Sequence, residues 1–315
     1  MELTALIVTV LNEAGTIDDL LESVCRQTRA PDEVVVVDGG STDGTLARLH
    51  EWSTRLPLTI VSESANIARG RNLAIAHASA QLIAVTDAGV RLERDWLEQL
   101  LNAMAPDVDV VGGFFRADPR SVFERALGAT TLPDDTDIDP DRFLPSSRSI
   151  LFRRAAWQGV GGYPEWLDYC EDLVLDLALK RAGCRFAFAP RAVAWFRPRS
   201  SVRAFFRQYY LYARGDGKAG LWPKRHAIRY ATYATAILLM VTRSPFRWLL
   251  LLGAVAYTRR PYARLQLRGL TSQQRLIAIA AVPTIRLAGD VAKMLGYPVG
   301  VAWRMRRAWT SRSSS

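Results

Sequence analysis

Through residues 1–199, apolar positions come in short unbroken blocks, each followed by a segment with helical spacing. The blocks are 3–10, 33–37, 58–61, 81–86 and 108–115, rich in Val and Ile. Unbroken rather than alternating apolar runs predict strands buried on both faces. Between them, 16–27 places Ile17, Leu20, Leu21 and Val24 on one helical face, and 45–52, 68–78 and 94–104 follow the same period. Strand and helix in alternation predict an α/β fold, a mostly parallel sheet with helices on both faces.

The pattern then loosens. Residues 132–145 (LPDDTDIDPDRFLP) are acidic and bounded by proline, as in a loop. A strand at 149–152, a glycine turn at 159–163, a helix at 172–182 and short strands at 185–189 and 193–196 complete this half. After Pro198 a helix rich in arginine and aromatics is expected over 202–214. Further on, uncharged stretches at 230–242, 248–258, 276–285 and 294–303 are punctuated by arginines. None approaches the roughly 20 apolar residues of a spanning helix. Basic segments of this kind suit helices lying in a membrane surface; the alternative is that snorkelling arginines stretch the first two segments into a spanning hairpin with Pro245 at its tip. Tyr297-Pro298 predicts a broken or kinked last segment, and 310–315 a disordered tail. Three parts are therefore expected: a domain over 1–199, a basic aromatic helix over 200–224, and a helical membrane-associating region over 225–315.

Charge sharpens this division. Residues 1–199 hold 21 Lys/Arg against 29 Asp/Glu, whereas 200–315 hold 20 against two, Asp216 and Asp290. The back part thus carries +18 and calls for an anionic partner. Its apolar content and the lack of any nucleic-acid-binding motif favour an anionic membrane surface over nucleic acid. Three scattered cysteines, Cys25, Cys170 and Cys184, give neither a disulfide framework nor a zinc site and suit a reducing compartment. The opening MELTALIVTV is too short and lacks the basic leader of a signal peptide. Attachment to the cytoplasmic face of a membrane is the expectation.

In an open parallel sheet, ligands bind at the carboxyl ends of the strands. Thr9-Val10-Leu11-Asn12-Glu13 follows the first strand, Asp38-Gly39-Gly40-Ser41-Thr42-Asp43 the second, and Asp87-Ala88-Gly89 the fourth. Such carboxylates accept from a base N–H or from ribose hydroxyls. Asp38 and Asp43 equally suit a turn ahead of a helix. Arg71, in the first turns of the helix after Asn66, can reach a base or diphosphate, or can be a solvated surface arginine. Glu171-Asp172 open an amphipathic helix, where the macrodipole favours acids and keeps a base ionised. Gly162, Tyr163 and Trp166 form either a sugar-stacking loop or a plain aromatic turn. Arg203, Arg207 and Arg214 make one basic helical stripe, with Gln208 beside it, suited to a diphosphate or to anionic lipid.

The ordered series VTVLNEAG, VVVVDGGSTDGT, ARGRNLAI and IAVTDAG resembles the nucleotide-binding half of family 2 glycosyltransferases, inverting enzymes of the GT-A fold, over roughly 3–215. The resemblance implies that Thr9, Leu11, Glu13 and Asp38 line the base pocket. Arg71 would bind base or diphosphate, and Asp87 the ribose–diphosphate region. It implies Asp172 as the base that deprotonates the acceptor hydroxyl, oriented by Glu171. Gly162, Tyr163 and Trp166 would receive the acceptor, and Arg207 and Gln208 would close over the diphosphate. The donor implied is a nucleotide-sugar, a UDP-sugar by preference. The acceptor implied is a lipid-linked or other glycan, in the setting of cell-envelope polysaccharide. The chain has RQYYLYARG rather than the QxxRW of processive synthases, which implies addition of one sugar. Leu11 replaces an aromatic, and Gly39 the second acid of the DDGS loop. Gly89 stands where the last metal-binding carboxylate of DxD is expected. Mg²⁺ or Mn²⁺ would then rest on Asp87 alone; arginines neutralising the diphosphate are the alternative. A binding protein of the same fold without catalysis, and a nucleotidyltransferase, are the competing functions.

Overall fold

The structure, a computed structural model, describes residues 2–313. Its chain divides into two compact units: Met1–Asp118 with Asp134–Arg197, and Pro119–Pro133 with Pro198–Ser315.

The first unit is built on an eight-stranded sheet. Its strands are β1 (Thr4–Val10), β2 (Glu33–Asp38), β3 (Leu58–Ser62), β4 (Leu82–Asp87), β5 (Val90–Leu92), β6 (Val110–Ala117), β7 (Ile150–Arg153) and β8 (Phe186–Phe196). The spatial order is β3-β2-β1-β4-β7-β6-β8-β5. The first four strands in sequence pair in parallel, and β6 pairs with β8 in parallel. By contrast, β7 runs antiparallel to both β4 and β6, and β5 antiparallel to β8. The sheet is therefore mixed. The unbroken apolar runs of β1, β2 and β4 are explained by helices on both faces. On one face α1 (Ile17–Cys25), α2 (Thr45–Trp52) and α4 (Trp96–Ala103) bury Leu20, Leu49 and Trp96 against Val8, Val36 and Ala84. On the other, α3 (Ile67–His77) and α7 (Glu171–Arg181) bury Ile75 and Leu179 against Ile7, Val35 and Val85. Two elements are local surprises. The three residues of β5 are too few to show a period, and α6 (Arg154–Gly159) is a single short turn beside the expected glycine turn. The two short strands expected at 185–196 are one strand, β8, carried past Pro190.

Two details fix α3. Gly70 lets its backbone approach β1: a methyl group there would lie 2.9 Å from the Thr9 methyl. At its far end Arg154 donates to the carbonyls of Ile75 (2.7 Å), Ala78 (2.7 Å) and Ala80 (2.8 Å), which satisfies acceptors orphaned at and beyond the helix terminus.

The second unit is helical: α5 (Val122–Thr131), α8 (Val202–Ala219), α9 (Pro223–Val241), α10 (Leu249–Arg264) and α11 (Ser272–Ser313). The first of these was not anticipated, since it follows a loop and falls between two strands. A core of Leu127, Phe205, Leu265, Val282 and Ile285 joins α5, α8 and α11. Helices α8 and α11 come into backbone contact through glycines. A methyl group on Gly296 would lie 2.2 Å from the Tyr210 carbonyl oxygen, and one on Gly300 2.1 Å from that of Arg214. The turn Pro245–Trp248 joins α9 to α10.

The expected break at Pro298 does not occur, and 310–313 continue the helix; 314–315 lie outside the described residues. A proline within a helix strips the donor from the carbonyl four residues earlier. Here the carbonyl freed by Pro298 belongs to Met294, and it accepts the Tyr230 hydroxyl at 2.6 Å. The one freed by Pro283 belongs to Ile279, and it accepts the Tyr262 hydroxyl at 3.1 Å. Hydroxyls from α9 and α10 thus replace both missing donors. Asp290, also on α11, is buried and accepts from Arg229 (2.8 Å), Tyr233 (3.0 Å) and Tyr257 (2.6 Å), tying the same three helices together. No described helix is long and apolar enough to cross a membrane.

Candidate active site

Register places the strand-end motifs side by side. In the parallel ladders Val10 pairs with Asp38 and Thr9 with Asp87, so the loops that follow β1, β2 and β4 open on one edge. Asn12, in the left-handed region at φ 57°, turns the chain back. Its side chain accepts from Thr42 N–H at 2.8 Å, and its own N–H donates to the Ser41 hydroxyl at 2.8 Å. Asp43 accepts from the N–H groups of Ala14 and Thr45, both at 3.1 Å, and is held below the ordinary aspartate range chiefly by the Thr45 hydroxyl. Asp43 therefore holds the loop. Asp38 is buried and receives the Ser41 N–H at 3.2 Å on each oxygen, so it too shapes the turn. Leu11 is exposed at the rim; Thr9 and Glu13 are half-buried.

The centre of the site is Arg71, only 2% exposed. Its guanidinium donates to Glu171 at 2.6 Å and to Asp87 at 2.8 Å, and lies 5.3 Å from the centre of the Tyr163 ring. Burial works against its charge, but Glu171 and Asp87 more than compensate and the net shift is upward. An arginine reaching out to a base or diphosphate was expected. This one is instead an internal clamp between the end of β4 and the start of α7. Burial pushes Glu171 up to about 7, against the pull of Arg71. Glu171 is thus committed to Arg71, whereas Asp172, next along α7, is half-buried and the more accessible acid. One turn further, Asp176 is buried with one oxygen unpartnered. Burial and then the neighbouring Asp172 raise its pKa well above the usual value.

Tyr163 also corrects an expectation. It is 2% exposed, its hydroxyl is 3.0 Å from Ser147 Oγ, and burial raises its pKa. It has no ring face for a sugar and instead supports Arg71 from below. Gly162 is needed as glycine: its φ is 77°, and a methyl group would lie 2.9 Å from Asn72 Oδ1. Asn72 binds the Tyr163 N–H and carbonyl, both at 2.9 Å, which locks this loop to α3. Trp166 is exposed beside it. In the helical unit, Arg207 is exposed on α8, and Gln208 donates to the Tyr212 hydroxyl at 2.8 Å.

A divalent metal on Asp87 does not fit the donor set. Oδ1 of Asp87 is bound by Arg71, and Oδ2 lies 3.3 Å from Arg148 Nε. Gly89 supplies no carboxylate, and no cluster of three or more metal-ligating side chains is found among the described residues. Sequence reasoning missed Arg148 altogether. It belongs to no motif, and only the pairing of β7 with β4, more than sixty residues apart, brings it to Asp87.

Residues 5–159 match the family described as Glycosyl transferase family 2. The chain is 28% identical over 232 residues to the succinoglycan biosynthesis protein ExoA of Rhizobium meliloti, covering 68% of each chain. It is 26% identical over 246 residues to the glycosyltransferase AglE of Haloferax volcanii, covering 75% of this chain and 80% of that one. Among solved structures it resembles the mannosyltransferase PcManGT of Pyrobaculum calidifontis, in complex with GDP-Man and Mn²⁺. That match has a TM-score of 0.58 at 23% identity and covers 96% of this chain and 86% of that one. Residues 1–349 of S. aureus TarS with UDP-GlcNAc match with a TM-score of 0.51 at 19% identity, over 96% and 92% of the two chains. These structural likenesses show a GT-A-like fold.

Proposed function

We propose that this chain, which belongs to glycosyl transferase family 2, moves one sugar from a nucleotide-sugar to a lipid-linked or glycan acceptor with inversion at the anomeric carbon. That it is a nucleotide-sugar-dependent glycosyltransferase follows from the family; the acceptor, the stereochemistry and the residue roles are our reading. The observation that carries the reading is the Arg71 clamp. It joins the donor end of the sheet at Asp87 to the start of α7 and engages Glu171, leaving Asp172 as the accessible carboxylate.

In this reading the loops after β1 and β2, with Thr9, Leu11, Glu13 and Asp38, receive the nucleoside, a uridine by preference. Asp172 takes the proton of the acceptor hydroxyl as that oxygen attacks the anomeric carbon. Trp166 and the backbone at Gly162 offer the acceptor a surface.

The helical unit is proposed to lie in the plane of an anionic membrane, on its cytoplasmic face. Supporting this are Val241 (75% exposed), Leu251 (71%), Phe246 and Trp248, interleaved with Arg243, Arg247, Arg259 and Arg260. Apolar groups at this density on a basic surface match the interfacial region of a bilayer with anionic headgroups.

A screen of nucleotide-sugars with lipid-linked and free glycan acceptors tests the transfer reaction. Release of nucleoside diphosphate with a glycosylated product is expected. Release of inorganic pyrophosphate would instead identify a nucleotidyltransferase.

A further inference from the structure

Asp87 ends β4 with both carboxylate oxygens facing guanidinium groups, Arg71 at 2.8 Å and Arg148 at 3.3 Å. The two arginines are unlike. Arg71 is sealed inside, whereas the Arg148 side chain is 23% exposed. Arg148 is nonetheless held in place. Its carbonyl accepts the Thr86 hydroxyl at 2.8 Å, and its guanidinium carbon lies 4.9 Å from the Phe196 ring centre and 5.6 Å from that of Phe115. Stacking on aromatic faces fixes the orientation of a guanidinium, whose planar fork matches carboxylate and phosphate oxygens. Two residues beyond Asp87, a methyl group on Gly89 would lie 3.8 Å from Glu13 Oε2. An aspartate there would set its carboxylate near that of Glu13.

We propose that Arg148 is a cation that meets the diphosphate of the donor in this enzyme, and that sugar transfer proceeds without a divalent metal. The proposal rests on the nucleotide-sugar reading above. In the transfer step the acceptor oxygen forms a bond to the anomeric carbon as the bond from that carbon to the phosphate oxygen breaks. The nucleoside diphosphate leaves with the electron pair, and the hydroxyl proton passes to Asp172. Negative charge grows on the leaving diphosphate, where fixed guanidinium donors bind phosphate oxygens well. Arg71 keeps Asp87 paired while Arg148 turns to the phosphates.

Calorimetric titration of the full chain with UDP and with GDP, each in EDTA and in MnCl₂, tests this. One of the two nucleotides is expected to bind in EDTA, with Mn²⁺ changing its Kd less than about threefold. Arg148→Ala is expected to weaken that binding about tenfold or more, and Arg148→Lys less, with circular dichroism unchanged. Gly89→Asp is expected to create a response to Mn²⁺ that the natural chain lacks, read as loss of the free Mn²⁺ signal in electron paramagnetic resonance. Binding by the natural chain only in Mn²⁺, or full binding by a folded Arg148→Ala, would overturn the proposal while leaving the transferase reading intact. Failure of both nucleotides to bind in every condition would overturn the nucleotide-sugar reading, and this proposal with it.

Discussion

At the scale of single residues, the site is a set of acids organised around one buried cation. Removing that cation leaves Glu171 buried and Asp87 short of a partner. Arg71→Ala is therefore expected to cost about 3–5 kcal/mol in denaturant unfolding, the range for breaking a buried ion pair from one side. Arg71→Lys should recover only part of this, because an ammonium cannot span both carboxylates with a rigid fork. Asp176 behaves differently. Its folded-state pKa is raised, so the folded chain holds a proton that the unfolded chain releases. Its contribution is full below the ordinary aspartate range and is lost as pH rises towards the raised value. Asp176→Asn, neutral throughout, should gain stability relative to the natural chain as pH rises through that window. Unfolding midpoints measured across it check the sign; parallel curves would contradict it. What the sequence tells about these residues is uneven. Asp38, Asp87 and Asp172 stand out because strand ends and helix starts are local patterns. The burial of Arg71 and Tyr163 is invisible there, since it depends on α3, β4 and α7 meeting across a hundred residues.

At the scale of elements, local periodicity was enough for β1, β2, β4 and the helices between them. It failed where an element is short, as in β5, or where a tertiary contact overrides a rule. The unbroken α11 is the clearest case: proline argues for a break, and two tyrosine hydroxyls supply the missing donors. Tyr230→Phe leaves the Met294 carbonyl without this partner and should cost about 1–2 kcal/mol in thermal or denaturant melts. Tyr262→Phe should cost less, because that hydroxyl is more exposed and water can replace it. Equal losses would contradict the account. The glycine contacts between α8 and α11 set a harsher limit. Gly300→Leu would drive a side chain into the Arg214 carbonyl and should destabilise the helical unit by about 3 kcal/mol, the upper end for overpacking. No sequence period announces this packing; Gly296 and Gly300, four residues apart, are its trace.

At the scale of the whole molecule, the division of charge has a direct consequence. The helical part carries nearly all of its charge as arginine and lysine and exposes large apolar side chains on α9 and α10. The chain should co-sediment with phosphatidylglycerol vesicles, more weakly as salt rises. Replacing Phe246 and Trp248 together by serine should reduce binding about tenfold or more by loss of buried apolar area. Recovery in the supernatant at every salt concentration would contradict surface attachment. In the proposed function the α/β part carries the chemistry, and that proposal turns on one carboxylate. The decisive measurement compares the natural chain with Asp172→Asn for glycosylated product and for donor binding, on the nucleotide-sugar that gives turnover. The variant is expected to bind donor as well as the natural chain while transfer falls by roughly 100-fold to 10,000-fold. Normal transfer by Asp172→Asn would contradict the proposal.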